Sequence, residues 1–286
     1  MRDKLKIYKI LTILVIGFVF LGLGCTGKNS GRSIYVKGSD TIKPLAEAEA
    51  EKFMEKNPGK SIIVKGGGSS VGIEALINGT IDIADASREM TDKEIEAAQK
   101  NGINPVQHTI AYDGITVIVN FANPVSTLTF DQLRGIYNGS ISNWKDVGGQ
   151  DKPIVVNCRK SSSGTYKTFQ TIVMHGDNYR HDTLNQADTG SIVISVSQNS
   201  DAIGYIGFSY FDNSSIKALS LNNGKGSIFP TYETIHNGSY PLSRALNMYT
   251  NGEATGLKKE FIDFVLSEQG QEIATGEGFI PLKSKI

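Results

Sequence analysis

Three times along this sequence an apolar, extended-type run gives way to a cluster of Gly, Ser and Thr, and then to residues spaced as in a helix. Ile34-Tyr35-Val36 leads into Gly38-Ser39-Asp40-Thr41 and a helix entered near Pro44, a residue tolerated in a first turn. Ile62-Ile63-Val64 leads into Gly66-Gly67-Gly68-Ser69-Ser70 and a helical run from Val71 to Leu76. Ile154-Val155-Val156, ending at Cys158-Arg159, leads into Ser161-Ser162-Ser163-Gly164-Thr165, after which Tyr166, Phe169, Ile172 and Val173 recur at helical spacing. Strand, small polar turn, helix is the grammar of an open α/β sheet, whose turns collect along one edge and can share a ligand. At each turn the first N–H groups of the helix lack partners and the helix dipole presents its positive end. With Ser163 as N-cap and Arg159, a rigid five-donor fork, beside it, the third turn describes an anion site. Such clusters also serve as plain caps and turns, but three on one sheet edge favour a shared ligand.

The N-terminus predicts export. Arg2, Lys4, Lys6 and Lys9 precede an apolar stretch from Ile10 to Leu23, and Gly24-Cys25 follow. A basic region ahead of a short apolar one reads as a signal peptide over residues 1–24, with an uncleaved anchor helix as the alternative. Cys25 behind small residues looks like a lipobox, which would lipidate it and make it the new N-terminus. Gly22 departs from the Leu usual in that box, with Leu21 and Leu23 on either side. Residues 25–33, polar and Gly-containing, read as a short tether.

The remaining composition narrows the function further. The formal charge is zero, and removing the leader with its four basic and one acidic residue leaves −3. No basic patch suggests nucleic acid, so an anion must be held by a few placed groups. Cys158 is the only thiol besides Cys25, so no internal disulfide is possible in a lipidated chain, and Cys158 reads as a small buried hydrophobe. His108, His175, His181 and His236 are scattered, and neither a Walker lysine motif nor a His-Glu-x-x-His is present, so no metal or cofactor is expected. Four Asn-x-Ser/Thr sequons, at Asn78, Asn138, Asn213 and Asn237, read as chance in an Asn/Gly-rich chain.

The length suits two compact lobes. Lobe 1 is expected over 34–120 and 240–286, and lobe 2 over 121–239. Thr91 with Glu94, and Thr129 with Gln132, predict helix starts by capping box. Asp113-Gly114 sits between two extended apolar runs and is expected at the lobe crossing. Trp144, the only tryptophan, reads as a packing anchor in a turn. Tyr240 to Tyr249 reads as a strand returning to lobe 1, and a helical region carries Leu257, Phe261, Phe264, Val265 and Leu266.

One enzyme pattern is present. Gly68-Ser69-Ser70-Val71-Gly72 fits the Gly-x-Ser-x-Gly elbow of serine hydrolases, with a strand before it and a helix after it. No oxyanion motif stands upstream, so a secreted hydrolase using Ser70 is the weaker alternative, and no enzyme activity is expected. A surface adhesin leaves the three turns unexplained.

Taken in order, Gly38-Ser39-Asp40-Thr41, Gly68-Ser69-Ser70, Ala86-Ser87-Arg88-Glu89, Tyr137-Asn138-Gly139 with Asn143-Trp144, Arg159 to Thr165, Ala202-Ile203-Gly204-Tyr205, Tyr240 to Arg244 and Gly276 to Leu282 resemble one family. It is that of the phosphate-binding proteins of high-affinity phosphate ABC transporters, and the resemblance spans nearly the whole mature chain. It implies an α/β, two-lobed periplasmic-binding-protein-like fold of type 2, closing over a dehydrated phosphate in the cleft between lobes. It also implies partners: inorganic phosphate and the permease subunits of an ABC transporter. The expected protein is a monomer on the outer face of the cytoplasmic membrane, attached by lipid. Another tetrahedral oxyanion, sulfate or molybdate, is the alternative ligand.

By position, the resemblance puts Thr41 and Ile42 on the first phosphate loop with Ser39 just before it. It puts Ser69 on the second, and Arg159, Ser163, Gly164 and Thr165 on the third. The best-known branch of the family carries an Asp after Ala86-Ser87, where it accepts the proton of hydrogen phosphate. Arg88 stands there in this chain and would add charge, but it cannot accept a proton. A carboxylate that accepts this proton would repel sulfate, which has none. Asp113 is the first choice for that role, then Asp40, then Asp85, and Asp113 as a plain turn residue remains the alternative.

Overall fold

The computed structural model describes residues 33–283. The expected signal peptide, the Cys25 lipidation site and all but the last residue of the tether lie outside them.

The first half of the chain alternates strand and helix as its turns predict: β1 (Ser33–Gly38), α1 (Lys43–Lys56), β2 (Ser61–Lys65), α2 (Ser69–Ile77), β3 (Ile83–Ala86) and α3 (Asp92–Lys100). β1 lies parallel between β2 and β3. Thr91 starts α3 with the anticipated capping box, its hydroxyl accepting from the Glu94 amide while the Glu94 carboxylate accepts from the Thr91 amide.

β4 (Pro105–Asn120) then runs for 16 residues, about 50 Å of extended chain. Asp113-Gly114 is therefore no joint between two strands but the middle of one, which rules out the turn reading of Asp113. Up to Gly114, β4 pairs with the returning strand near the C-terminus; from Ile115 it pairs with strands of the second half. It belongs to both lobes.

The second half holds β5 (Thr127–Thr129), α4 (Phe130–Asn138), β6 (Val155–Arg159), α5 (Gly164–Ile172), β7 (Leu184–Gln186), α6 (Thr189–Gln198) and β8 (Ala202–Gly207). β9 (Ile216–Ala218), β10 (Ser220–Asn222), β11 (Ser227–Ile228) and α7 (Tyr232–His236) complete it. Thr129 caps α4 by the predicted box with Gln132. Trp144 opens a 3-10 turn and is 1 % exposed, with its indole N–H donating to the Asp201 carbonyl at 2.9 Å, so it is a packing anchor. α6 and the small β11-β10-β5 sheet were not anticipated; their segments are short and rich in Ser, Asn and Gly, which blurs the period.

β12 (Ser243–Asn251) returns to the first half, and α8 (Gly256–Leu266) and α9 (Glu268–Gly276) close the chain. The strand begins three residues later than Tyr240, because Tyr240 turns inward and donates its phenol to the Ile115 carbonyl at 2.9 Å. The helical region expected through Leu257 to Leu266 is α8, and α9, which was not anticipated, follows once Ser267 caps it.

The main sheet runs β2-β1-β3-β12-β4-β8-β6-β7, with β9 on β4. The fold is two-lobed, and each lobe has its own core. On the β1–β3 side Leu45, Phe53, Ile83, Leu246, Met248 and Phe261 pack together. On the β6–β8 side Ile115, Val117, Tyr137, Phe169 and Tyr205 do so, joined by Tyr240, Leu242 and Ile280. The strand-to-helix turns of both sides meet in the cleft.

Candidate anion-binding site

The turn after β1 is held open by short side chains. The Ser39 amide donates to the Asp85 carbonyl at 2.9 Å, and the Ser39 hydroxyl accepts from the Thr41 and Ile42 amides at 3.2 and 3.4 Å. Ile42, the N-cap position of α1, is fully buried. At the turn after β2, Gly68 enters α2 with φ 99°, a conformation that side chains disfavour, and its amide donates to the Gly38 carbonyl at 2.8 Å. Ser69 follows it, fully buried. At the turn after β6, Ser163 caps α5 as predicted, accepting from the Tyr166 amide at 3.4 Å.

These turns converge. The Thr41 and Thr165 hydroxyl oxygens lie 3.0 Å apart. Ser39 donates to the Ser87 hydroxyl at 3.0 Å, and the Ser87 amide donates to the Ser69 hydroxyl at 3.1 Å. Gly164 is packed so closely that a Cβ there would collide with the Ser69 hydroxyl and come within 2.6 Å of that of Ser87. Ser39, Thr41, Ser69, Ser87, Ser163 and Thr165 are all buried. The lobes are closed on one another: the Ser70 amide donates to the Ser162 carbonyl at 3.0 Å, and the Ser162 hydroxyl to the Gly67 carbonyl at 3.2 Å.

Two buried guanidinium groups flank the hydroxyls. Arg159, 2 % exposed, donates to Asp40 at 2.8 Å and to the Thr189 hydroxyl at 3.0 Å, and its Nε has no partner. Asp40 accepts on its other oxygen from the Gly67 amide at 2.8 Å. Arg244 donates through Nε and Nη2 to one oxygen of Asp113, at 3.1 and 2.7 Å, while the Phe208 amide donates to the other at 2.9 Å. Its Nη1 donates to the Thr165 hydroxyl at 3.0 Å and to the Ser87 carbonyl at 3.2 Å. Each cation thus has its own carboxylate, so the cradle is electroneutral and rich in donors.

The three carboxylates considered as proton acceptors stand differently. Both Asp113 oxygens are committed, to Arg244 and to the Phe208 amide. Asp85 shares the sheet face of Ile83 and points into the apolar core beneath α1, where one of its oxygens has no partner. Burial pushes its carboxyl up to about 8, so it carries its proton near neutral pH. Glu49 of α1, fully buried with both oxygens unpartnered, is pushed well above the carboxylate range by burial and then by Asp85. Asp40 is the one left facing the turns, its two oxygens each taking one hydrogen bond.

Arg88 is not gathered into the cradle. Its fork grips Glu94 with two 2.7 Å bonds and donates to the Ser70 hydroxyl at 3.0 Å. Burial works to raise the Glu94 carboxyl, but the hydrogen bonds from Arg88 and Thr91 outweigh it and hold it low. The pair lines a groove of about 460 Å3 between the lobes, opposite Lys167 and Thr168. Ser70, the hydrolase candidate, has Arg88 on its hydroxyl, and no histidine bonds to it among the described residues. Cys158 is buried in β6 and burial raises its thiol, consistent with a packing role.

Sequence reasoning missed Ser87, Thr189 and Arg244 as members of the site. Ser87 had a signal, since it too follows a strand in a small polar turn. Arg244 had none of that kind, because it starts a strand.

A PBP superfamily domain matches residues 26–269. The phosphate-binding protein PstS of Bacillus subtilis is 35% identical over 259 residues, covering 89% of this chain and 82% of the relative. A candidate phosphate ABC transporter substrate-binding protein from Clostridium perfringens, solved with bound phosphate, is 39% identical with a TM-score of 0.79, covering 88% of this chain and all of that one. An ABC-type phosphate transport receptor from Vibrio cholerae is 34% identical with a TM-score of 0.73, covering 86% of this chain and 99% of that one. With a type 2 fold, three converging turns and relatives of this likeness over most of its length, the chain belongs to the PstS family of phosphate-binding proteins within the PBP superfamily.

Proposed function

We propose that this chain captures inorganic phosphate outside the cytoplasmic membrane and hands it to the permease subunits of an ABC transporter. The observation that carries the reading is the cradle of buried hydroxyls beside Arg159, whose Nε remains uncommitted. A bare tetrahedral anion needs many donors at once to replace its water, and a charged donor strengthens each contact. Hydroxyls and helix-start amides supply the donors; the two ion pairs supply field without net charge.

In this reading Ser39, Thr41, Ile42, Ser69, Arg159, Ser163, Gly164 and Thr165 hold the anion, and Arg88 with Asp113 supports it from the rim and the floor. Lobe 1 comprises 34–120 with 240–286 and lobe 2 comprises 121–239, except that the 115–120 end of β4 and the side chains of Tyr240, Leu242 and Ile280 are shared with lobe 2. The chain acts as a monomer, without metal and without turnover, exported by residues 1–24 and held to the membrane by lipid on Cys25.

The test is a calorimetric titration with phosphate, arsenate, sulfate and molybdate, run beside an assay for phosphate-ester turnover. Phosphate should bind with Kd around micromolar or tighter, about −8 kcal/mol or better, and a chelator should not change it. Tighter sulfate than phosphate, or hydrolysis of esters, would overturn the reading. Loss of membrane-bound protein in Cys25→Ala tests the anchor.

A further inference from the structure

Arg244 occupies an unusual position. It lies on β12 directly opposite Asp113 of β4 in the register of the two strands that pass between the lobes. From there one guanidinium nitrogen, Nη1, reaches the Ser87 carbonyl of lobe 1 and the Thr165 hydroxyl of lobe 2. In this closed arrangement both partners are within reach of the one nitrogen. The residue is 8 % exposed, and Asp113 holds the rest of the fork in place.

The chemistry of that contact is one-directional. A guanidinium has no acceptor, so at this contact Thr165 must accept. A threonine hydroxyl has one proton and two lone pairs. One lone pair of Thr165 is therefore spent on Arg244. Its proton goes either to the Thr41 oxygen, 3.0 Å away, or to a bound anion; if to Thr41, the Thr41 proton is freed instead. In both cases one proton of the pair is left for an anion oxygen.

We propose that Arg244 is a positioning and specificity-determining residue: it orients the Thr165–Thr41 hydroxyl pair as donors towards unprotonated phosphate oxygen, and does so when the lobes close. This rests on the phosphate reading above. With Arg244 in place Thr165 has one lone pair left rather than two, and the guanidinium charge beside it opposes a P–OH proton; without Arg244, Thr165 is freer to turn and accept from such a group. The intact site therefore favours the phosphate dianion, which has one such group, over the monoanion, which has two.

The surrounding charges do not supply this preference. Asp113 faces Arg244 from β4, and Arg159 with Asp40 closes the cradle. Tyr240, just ahead of β12, is raised by burial and by Asp113, beyond any pH of interest. Asp85 on the neighbouring β3 titrates in the window but is common to every variant compared.

The test is phosphate affinity from pH 6 to pH 8.5 in wild type, Arg244→Gln, Arg244→Lys, Thr165→Val and the double variant Arg244→Gln/Thr165→Val, each first checked for a cooperative thermal transition. Wild-type affinity should rise across the range as the dianion appears. Arg244→Gln should lose at least tenfold at pH 8 and show a flattened rise. Arg244→Lys, which keeps a charged donor, should keep the rise. The double variant should bind at least fivefold better than the two single losses multiplied together. Parallel pH profiles for wild type and Arg244→Gln, or losses that simply multiply, would sink the proposal. If Arg244→Gln fails to fold, the same cycle with Thr165→Val is run in an Asp113→Asn background, where no buried carboxylate is left unpaired, and is judged by the same coupling. A wild type that binds no phosphate at any pH refutes the phosphate reading itself, an outcome distinct from both.

Discussion

Thr41 and Thr165 are 124 residues apart in the chain, and their hydroxyl oxygens meet at 3.0 Å across the cleft. One belongs to the turn that opens α1 and the other to the first turn of α5, so the contact exists only where two helix N-termini point at the same place. Donors from both lobes are thereby set within one anion's diameter.

From this arrangement the weight of each donor can be ranked. Arg159→Ala should cost on the order of 2–5 kcal/mol of phosphate binding, since it leaves the anion, and Asp40 with it, without a charged partner. Thr165→Val or Ser163→Ala should each cost about 1–3 kcal/mol, the loss of one donor to an anion. Calorimetry on the three variants checks the order; near-native affinity in Arg159→Ala would reduce the third turn to a helix cap.

Gly164 is required by space. A methyl group there would run into the Ser69 and Ser87 hydroxyls, so Gly164→Ala should hold the lobes apart. We expect at least a tenfold loss of phosphate affinity, about 1.4 kcal/mol, with unchanged thermal stability of the free protein. Small-angle scattering with saturating phosphate should show a larger radius than wild type. An equally compact complex would show that the neighbouring hydroxyls give way.

The Glu49 and Asp85 carboxyls should make the protein less stable as pH rises. Their folded values lie above the ordinary ones, Asp85 at about 8, so the folded state keeps protons that the unfolded chain releases. For Asp85 the stability is then greatest below about pH 4 and is lost progressively up to about pH 8, and Glu49 acts in the same direction. Asp85→Asn, which has no charge to bury, should be more stable than wild type at pH 8 by on the order of a few kcal/mol, and lose that advantage near pH 4. Urea unfolding at pH 4.5 and pH 8 measures this. The same difference at both values would mean that Asp85 does not hold a proton.

Arg88 should matter less to binding than Arg159 does. Its fork is committed to Glu94, in a pair that is 10% and 24% exposed. Arg88→Ala should cost about 1 kcal/mol of stability or less and lower phosphate affinity by a smaller factor than Arg159→Ala. Ion-exchange of the Arg88 variant for affinity at low and high salt would expose any role in attracting the anion: a loss confined to low salt marks attraction at a distance, and a loss at both marks direct contact.

Much of the fold could be read because its signals are local. Capping boxes at Thr91 and Thr129, the Ser163 cap and the strand-turn-helix repeats are all written within a few residues, and the structure has each where it was expected. What was illegible depends on partners far away. Nothing near Asp113 says that Arg244 will fill one of its oxygens, since the two meet only when β12 returns alongside β4. Nothing near Arg88 says that Glu94, already spent on its capping box, will also take the guanidinium. Asp85 is buried because β3 is covered on both faces, all four of its residues being buried, so no alternation in the sequence marks it.

β12 arrives late and lands in the middle. It is the strand between β3 and β4, so the sheet of the first half has a gap until residues 243–251 have been made. The second half, by contrast, is one uninterrupted stretch of chain and has most of its core in hand by then. During biogenesis the second lobe therefore has a head start, while β1–β3 wait with an open edge on β3. Arg244, at the leading end of the closing strand, joins the cradle in the same event that seals the sheet, so a nascent chain stalled before it can neither complete its first lobe nor hold an anion.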